Sequence, residues 1–277
     1  VRDDRLSQRI LVDRMVKCLL MGVAVTVALV LVSIIWFVAS RGIGAINWTF
    51  LTSLQGSPGD LKVGILNAML GTVMVAGFTT LVVVPFGIWC GVAMAEYPAH
   101  PLVKWAVMGM DALQSIPSIL FGILAYLWLV VPMGHFSSLS GSVALAMIML
   151  PIVVRSVEES VKQVPVTLRE ASLALGASPT RTILKIVIPS GLNGIVTGAL
   201  LGLGRIVGET APLLFTAFGS PFLVASVLEP VQTMPLLIYN YATSPYPDWQ
   251  QMGWGASFIL LVFCFMLGVF TRFLVRK

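Results

Sequence analysis

Residues 18–39 run the thickness of a membrane without a single Asp, Glu, Lys or Arg. About 20 apolar residues in a helix cross the hydrocarbon core of a bilayer. Within that core a helix satisfies every backbone N–H and C=O internally, which an open loop cannot do. The stretch is too long for the core of a signal peptide and lacks a convincing cleavage site, so it reads as an uncleaved anchor. Five more stretches follow at about 66–94, 104–132, 142–161, 191–215 and 252–273, the third interrupted by Ile116-Pro117-Ser118. An all-α integral membrane protein with six transmembrane helices is therefore expected. Composition agrees, with 57% apolar and 10% charged residues against about 25% charged in soluble domains.

Charge placement orients these spans. Of the 17 Lys and Arg residues, all but Arg41, Lys62 and Arg205 fall on cytoplasmic segments or span ends when the N-terminus is inside. That asymmetry obeys the positive-inside rule and accounts for the net charge of +5 without nucleic acid. Both termini are then cytoplasmic, as is the loop 163–190. Residues 1–17, with Arg2, Arg5, Arg9, Arg14 and Lys17, form a basic cytoplasmic segment ahead of the first helix, 18–39. The loop 40–62 carries Gly56, Pro58 and Gly59. Residues 217–251 form a long outer loop with Ser244-Pro-Tyr-Pro-Asp248 and a helix around Met234–Tyr241. Cys18, Cys90 and Cys264 all lie in apolar stretches, which argues against a disulfide framework. His100 and His135 fall on opposite sides of the membrane, so no metal site is expected between them.

The loop between the fourth and fifth stretches holds a series of helix signals. Thr167 followed by Glu170 has the spacing of a capping box. Gly176 suits a left-handed C-terminal cap, and Ser178-Pro179 starts a second helix with Ser as N-cap and Pro at the first helical position. Pro189 ends or kinks that helix. Two short helices hinged at Gly176 make a knuckle suited to docking into another protein, although a plain capped surface loop has the same signals.

Charge inside the membrane is the next signal. Gly194, Gly198, Gly202, Arg205 and Glu209 fall within roughly an 80° arc of one helix. The glycines let a neighbouring helix approach closely, and packing alone explains Gly194 and Gly198. A charge near mid-membrane costs about 2.5–3.5 kcal/mol on insertion scales and is usually paired or functional. Arg205 and Glu209, at i and i+4, fit a structural ion pair or an anion-handling arginine balanced by a carboxylate; guanidinium geometry suits bidentate contact with phosphate-like oxygens. Arg155 and Glu158, at i and i+3 near the cytoplasmic end of the fourth stretch, share a face and are equally a surface salt bridge or a functional pair. Asp111, Gln114, Ser115 and Ser118 form a polar stripe in the third stretch, either a pathway wall or a polar helix contact, with Pro117 freeing a backbone carbonyl.

Catalytic and nucleotide-binding motifs do not appear. There is no Gly-x-x-x-x-Gly-Lys-Ser/Thr phosphate loop, Gly-x-Ser-x-Gly elbow, His-Glu-x-x-His helix or cysteine cluster. Gly202-Leu-Gly204-Arg-Ile-Val-Gly208 has the wrong spacing for a dinucleotide fingerprint and lies within a span. No enzyme, metal or cofactor is expected of this chain.

Glu170-Ala171-Ser172, Gly176 and then Ile186-Val187-Ile188-Pro189 resemble the EAA loop of ABC importer permeases, with Ser172 for Ala and Ile188 for Leu. Leu150-Pro-Ile-Val-Val-Arg155-Ser-Val-Glu158, Ile116-Pro-Ser-Ile-Leu-Phe-Gly122, Gly71-Thr72 and above all Gly208-Glu209-Thr-Ala-Pro212 are similar to the PstA type of phosphate importer permease, over roughly residues 60–277. That resemblance implies the type I, MetI-like permease fold in 60–277 and a location in the cell (inner) membrane. As partners it implies a sibling permease of the PstC type, a cytoplasmic ATPase dimer of the PstB type that binds the ATP, and an extracytoplasmic phosphate-binding protein of the PstS type. It implies a substrate pathway along Arg205, Glu209, Arg155 and Glu158, and ATPase coupling through Glu170, Ala171, Gly176, Ile186 and Pro189. Three alternatives stay open: a permease for another oxyanion, a secondary anion transporter using Glu209 as a proton-coupling carboxylate, and a non-transporting membrane sensor or scaffold.

Overall fold

The computed structural model describes residues 2–57, 59–60 and 63–275, with side chains over 11–57, 59–60 and 63–273. Pro58, Lys62, Arg276 and Lys277 lie outside the described residues, as do the side chains of Arg2, Arg5 and Arg9. The helices are α1 (Arg2–Gly42), α2 (Trp48–Thr52), α3 (Leu66–Glu96), α4 (Pro101–Ser115), α5 (Ser118–Met133), α6 (Ser138–Lys162), α7 (Val166–Ala174), α8 (Pro179–Ser190), α9 (Leu192–Val207), α10 (Ala211–Leu214), α11 (Met234–Ala242) and α12 (Pro247–Val275). Among the described residues there is no strand, only an isolated bridge between Phe218 and Val231. Four helices, α1, α3, α6 and α12, are long and apolar enough to cross a membrane, and the bent pairs α4–α5 and α8–α9 bring the number to six if each is one span.

The bundle is built around α6. Its buried residues Leu145, Met149, Val153, Val157 and Val161 recur every four positions, which stacks them along one side of a helix. A methyl group at Gly87 of α3 would stand 2.7 Å from Val153 Cγ1, and one at Gly91 would stand 2.6 Å from Val157 Cβ. On another side of α6, Gly194, Gly198 and Gly202 of α9 lie against Ser160, Ser156 and Met149. Small residues at both seams bring the backbones close, which drives helix association where lipid is as apolar as leucine. Polar groups then bond across the seams. Thr79 Oγ1 donates to the Ser142 carbonyl (3.2 Å), Ser142 Oγ to the Val75 carbonyl (3.3 Å) and Ser156 Oγ to the Gly194 carbonyl (3.1 Å).

Three local expectations are corrected. First, the break expected at Ile116-Pro117-Ser118 is present but is a corner at which α4 and α5 meet at 105°, not a kink within one helix. Ile116, ahead of Pro117, is extended (φ −80°, ψ 131°), because the proline ring clashes with a helical residue before it. Pro117 sits at the N-cap of α5 and so frees no carbonyl inside a helix, and Ser118 leaves the stripe of Asp111, Gln114 and Ser115. α4 buries none of its residues. Second, α9 stops at Val207 with Gly208 at its C-cap, so Glu209 lies beyond the helix that carries Arg205. Third, α7 starts at Val166 without a side-chain cap. Pro165 (φ −55°, ψ 135°) already turns the chain, its carbonyl accepting from Leu168 N–H at 3.2 Å, so Thr167 falls inside the first turn and forms no capping box.

Two π turns, Tyr126–Val130 in α5 and Ile183–Val187 in α8, stand just ahead of Pro132 and Pro189. A proline removes an amide donor from the ladder, and a widened turn is one way a helix accommodates it. Beyond Pro189 the pair α8–α9 bends by 66°.

At the end of the bundle opposite α7, a second core of Phe50, Ile65, Ala68, Met234, Leu237, Tyr241 and Ala256 packs α2, α11 and the start of α12 over α3. Met234 N–H donates to Thr72 Oγ1 (2.8 Å), and Asn67 Nδ2 donates to the Ser220 carbonyl (2.9 Å). These bonds fix the long loop, whose helix α11 falls where Met234–Tyr241 was expected. An open cavity of about 610 Å³ there is lined by Gln55, Asp60, Gln232, Asn240 and Trp249 among others. α1 is exposed along its apolar stretch and leans on α12: Phe37 meets Trp254 edge-on at 5.4 Å, and Gln251 Nε2 donates to the Arg41 carbonyl at 3.2 Å.

Candidate functional site

Arg155 sits on α6, and its guanidinium is shared by two carboxylates. Nη1 donates to Glu158 Oε2 at 2.8 Å, and Nη2 donates to Asp111 Oδ1 on α4. Glu158 Oε1 accepts from Lys162 Nζ at 2.6 Å. The Glu158 side chain is 5% exposed and has both oxygens engaged, whereas Asp111 is 60% exposed. Two cations and two anions leave the cluster neutral, which offsets the cost of holding charge in a low-dielectric bundle.

Arg205 occupies the last turn of α9 and forms an ion pair with Glu209, the first charged residue past the helix end. Here the carboxylate is the buried member, 8% exposed, and the arginine is 56% exposed. Glu209 is held in place by its own N–H on the Ile206 carbonyl (3.2 Å) and by the short helix α10 that follows. α10 is in turn fixed to α5: a methyl group at Gly122 would stand 2.6 Å from Pro212 Cα. The Ile116–Gly122 and Gly208–Pro212 motifs therefore meet in space. The seam that faces Gly194 to Ser160 and Gly198 to Ser156 puts Arg205 level with about residue 149 of α6, so the two arginines are separated by roughly 9 Å along the helix axes.

The knuckle forms the other end of the same unit. Gly176 has φ 80°, a conformation that costs other residues a Cβ clash, and Ser178 Oγ accepts from Arg181 N–H at 3.3 Å to start α8. Ser172 Oγ and Thr182 Oγ1, both buried, hydrogen-bond at 2.8 Å and hold α7 against α8. Arg169 donates to the Val161 carbonyl (2.9 Å) and forms an ion pair with Glu96 at the end of α3. Leu175 is 90% exposed at the tip, with Val166, Leu173 and Leu184 also exposed, an apolar surface of the kind that marks a contact with another protein. Glu170, Ala171, Gly176 and Pro189 are exposed and Ile186 is half-buried.

The structure thus brings Arg155 to Glu158 and Arg205 to Glu209, as their spacing suggested, and keeps the two pairs on separate levels. The spacing did not show that Asp111 and Lys162 complete the Arg155 cluster, or that Arg169 reaches Glu96. Asp111, a lone acid in an apolar stretch, was the available signal. Cys18, Cys90 and Cys264 are free thiols, and no group of three or more metal-ligating side chains occurs among the described residues.

Comparison with known proteins gives consistent results. Residues 84–277 match the family described as binding-protein-dependent transport system inner membrane component. The phosphate transport system permease protein PstA of Haemophilus influenzae is 38% identical over 240 residues, 86% of this chain and 85% of that protein. The PstA of Yersinia pestis is 34% identical over 89% of this chain and 84% of that one, and the probable PstA of Methanocaldococcus jannaschii is 33% identical over 97% and 95%. Among solved structures, a chain of the inward-facing MetNI methionine ABC transporter superposes with a TM-score of 0.61 at 21% identity, covering 77% of this chain and 93% of that one. A chain of an amino acid ABC transporter with histidines gives 0.55 at 15% identity, over 76% and 92%. These two likenesses establish the MetI-like permease fold. This multi-pass membrane protein belongs to the family of binding-protein-dependent transport system inner membrane components, in the group of its PstA-type members.

Proposed function

We propose that this chain is the membrane permease subunit of an ATP-driven inorganic phosphate importer. The observation that carries the reading is Arg205: an arginine side chain more than half exposed, at the end of an apolar helix, held by a buried carboxylate. A structural ion pair in a membrane would bury both members; this one leaves the cation open to an anion. Guanidinium and phosphate form parallel charge-assisted hydrogen bonds, and Glu209 keeps the attraction weak enough for release. The family and the PstA relatives support phosphate over another oxyanion and speak against a secondary transporter or a sensor.

The knuckle end is cytoplasmic in this reading, along with both termini, because the described basic residues Arg14, Lys17, Lys104, Lys162, Arg169, Arg181, Lys185 and Arg272 gather there. A phosphate-binding protein docks on the opposite face, including 217–251, and releases phosphate into a cavity shared with a sibling permease. The ion meets Arg205 first and Arg155 about 9 Å further in. An ATPase dimer, which binds and hydrolyses the ATP, grips the knuckle through Glu170, Ala171, Gly176, Ile186 and Pro189. Because α8 continues into α9 through the 66° bend, displacement of the knuckle moves the helix that carries Arg205. The chain itself performs no hydrolysis.

Uptake of phosphate into proteoliposomes holding the complete complex tests this. Arg205→Gln removes a charged hydrogen-bond partner worth about 1.5–3 kcal/mol, so uptake should fall about 10- to 100-fold while the ATPase still co-purifies. Glu170→Lys should instead lose the ATPase. Normal transport by Arg205→Gln would make the pair structural and end the pathway assignment.

A further inference from the structure

We propose that Asp111 is a removable counter-ion that closes Arg155 to phosphate, and that opening this inner station requires α4 to carry Asp111 away. The proposal rests on the reading of Arg155 as a pathway residue. The two carboxylates on Arg155 are not equivalent. Glu158 is buried, lies on the same helix as Arg155 and has one oxygen on Arg155 and the other on Lys162. It cannot leave without stranding two cations. Asp111 is mostly exposed, engages Arg155 through Oδ1, and comes from a helix with no buried residue. α4 continues into the bundle through the Ile116-Pro117 corner on one side and the turn after Glu96 on the other, and between them it rests on the core through the partly buried Leu113.

A carboxylate and a phosphate present the same two-oxygen edge to a guanidinium, so Asp111 and the substrate compete for one place. With Asp111 seated, the cluster is neutral and the Nη2 edge of Arg155 is filled. With Asp111 withdrawn, the cluster carries one net positive charge and an open edge. The knuckle is connected to this movement: Arg169 of α7 grips Glu96, five residues before α4 begins. A displacement of the knuckle therefore reaches the base of α4 by an ion pair as well as through α8 and α9.

The test uses the complete transporter in proteoliposomes loaded with inorganic phosphate, with sulfate as the comparison anion, and reads efflux without ATP. Asp111→Asn should raise the phosphate leak about tenfold or more, and Asp111→Glu should hold it near the wild-type level. Combining Asp111→Asn with Arg155→Gln should return the leak to background, since Asp111 acts only through Arg155. A leak equal to wild type in assembled Asp111→Asn overturns the gate, as does a leak that persists without Arg155. Should Asp111→Asn not assemble, Asp111→Cys modified after assembly decides. An anionic thiol reagent should suppress the leak and a cationic one should not, and equal leak with both overturns the proposal. Arg155→Gln alone separates the two levels. Normal ATP-driven uptake by that variant removes Arg155 from the pathway and the gate with it, whereas impaired uptake beside a silent Asp111→Asn removes the gate only.

Discussion

Arg155 and Arg205 lie on facing helices, each with a glutamate three or four residues on, yet the bundle treats them differently. Arg155 is three-quarters covered and held by carboxylates from two helices, with Lys162 balancing the charge. Arg205 has one partner, on its own segment, and over half of its side chain is open. Near-identical spacing therefore encodes two electrical states, a neutralised cluster and an exposed cation. What separates them is the neighbouring segment: α4 brings a second carboxylate to the first, whereas the second pairs with Glu209 just past the end of α9.

The sharpest test of this contrast is to neutralise each glutamate. Glu158→Gln leaves Arg155 and Lys162 facing each other across an uncharged group and should cost about 2–3 kcal/mol, read as a lower thermal midpoint of the solubilised complex. Glu209→Gln should cost under about 1 kcal/mol, because Arg205 keeps its solvent. Equal losses would break the comparison. Replacing each arginine by lysine is the next largest. Lysine is a point charge that can neither bridge two carboxylates nor make parallel bonds to a phosphate, so Arg155→Lys and Arg205→Lys should each lower uptake about tenfold, while only Arg155→Lys should also lower the thermal midpoint, by roughly one hydrogen bond's worth. The smallest effect belongs to Lys162→Ala. Half exposed and one of two cations on Glu158, it should change stability by about 0.5 kcal/mol or less, and less still at high salt.

The spans were legible in the sequence because length and hydropathy are local properties. The corner at Pro117 was legible as a break, but its 105° angle depends on α5 packing against α10 at Gly122 and Pro212, a contact that no local pattern shows. The cap at Thr167 was misplaced because Pro165 turns the chain first. Arg155–Glu158 and Arg205–Glu209 are short-range pairs and could be proposed from spacing. Asp111 and Arg155 are 44 residues apart, and Glu96 and Arg169 are 73. Those pairs exist only once α3, α4, α6 and α7 have taken their places.

The dependence of α1 on α12 has a consequence for how the protein is made. Arg41 and Gln251, which bond to each other, are separated by 210 residues. At a synthesis rate of about 5–20 residues per second, the interval between them is roughly 10–40 s. During that time the first helix of the described chain is in lipid without the neighbour it will finally rest against. The uncharged apolar stretch 18–39 lets it wait, whereas α6, with Glu158 and its serines, needs partners on arrival. Ribosome-bound chains cut short before Trp254 should therefore insert α1 stably and yet leave it free to exchange with other hydrophobic helices.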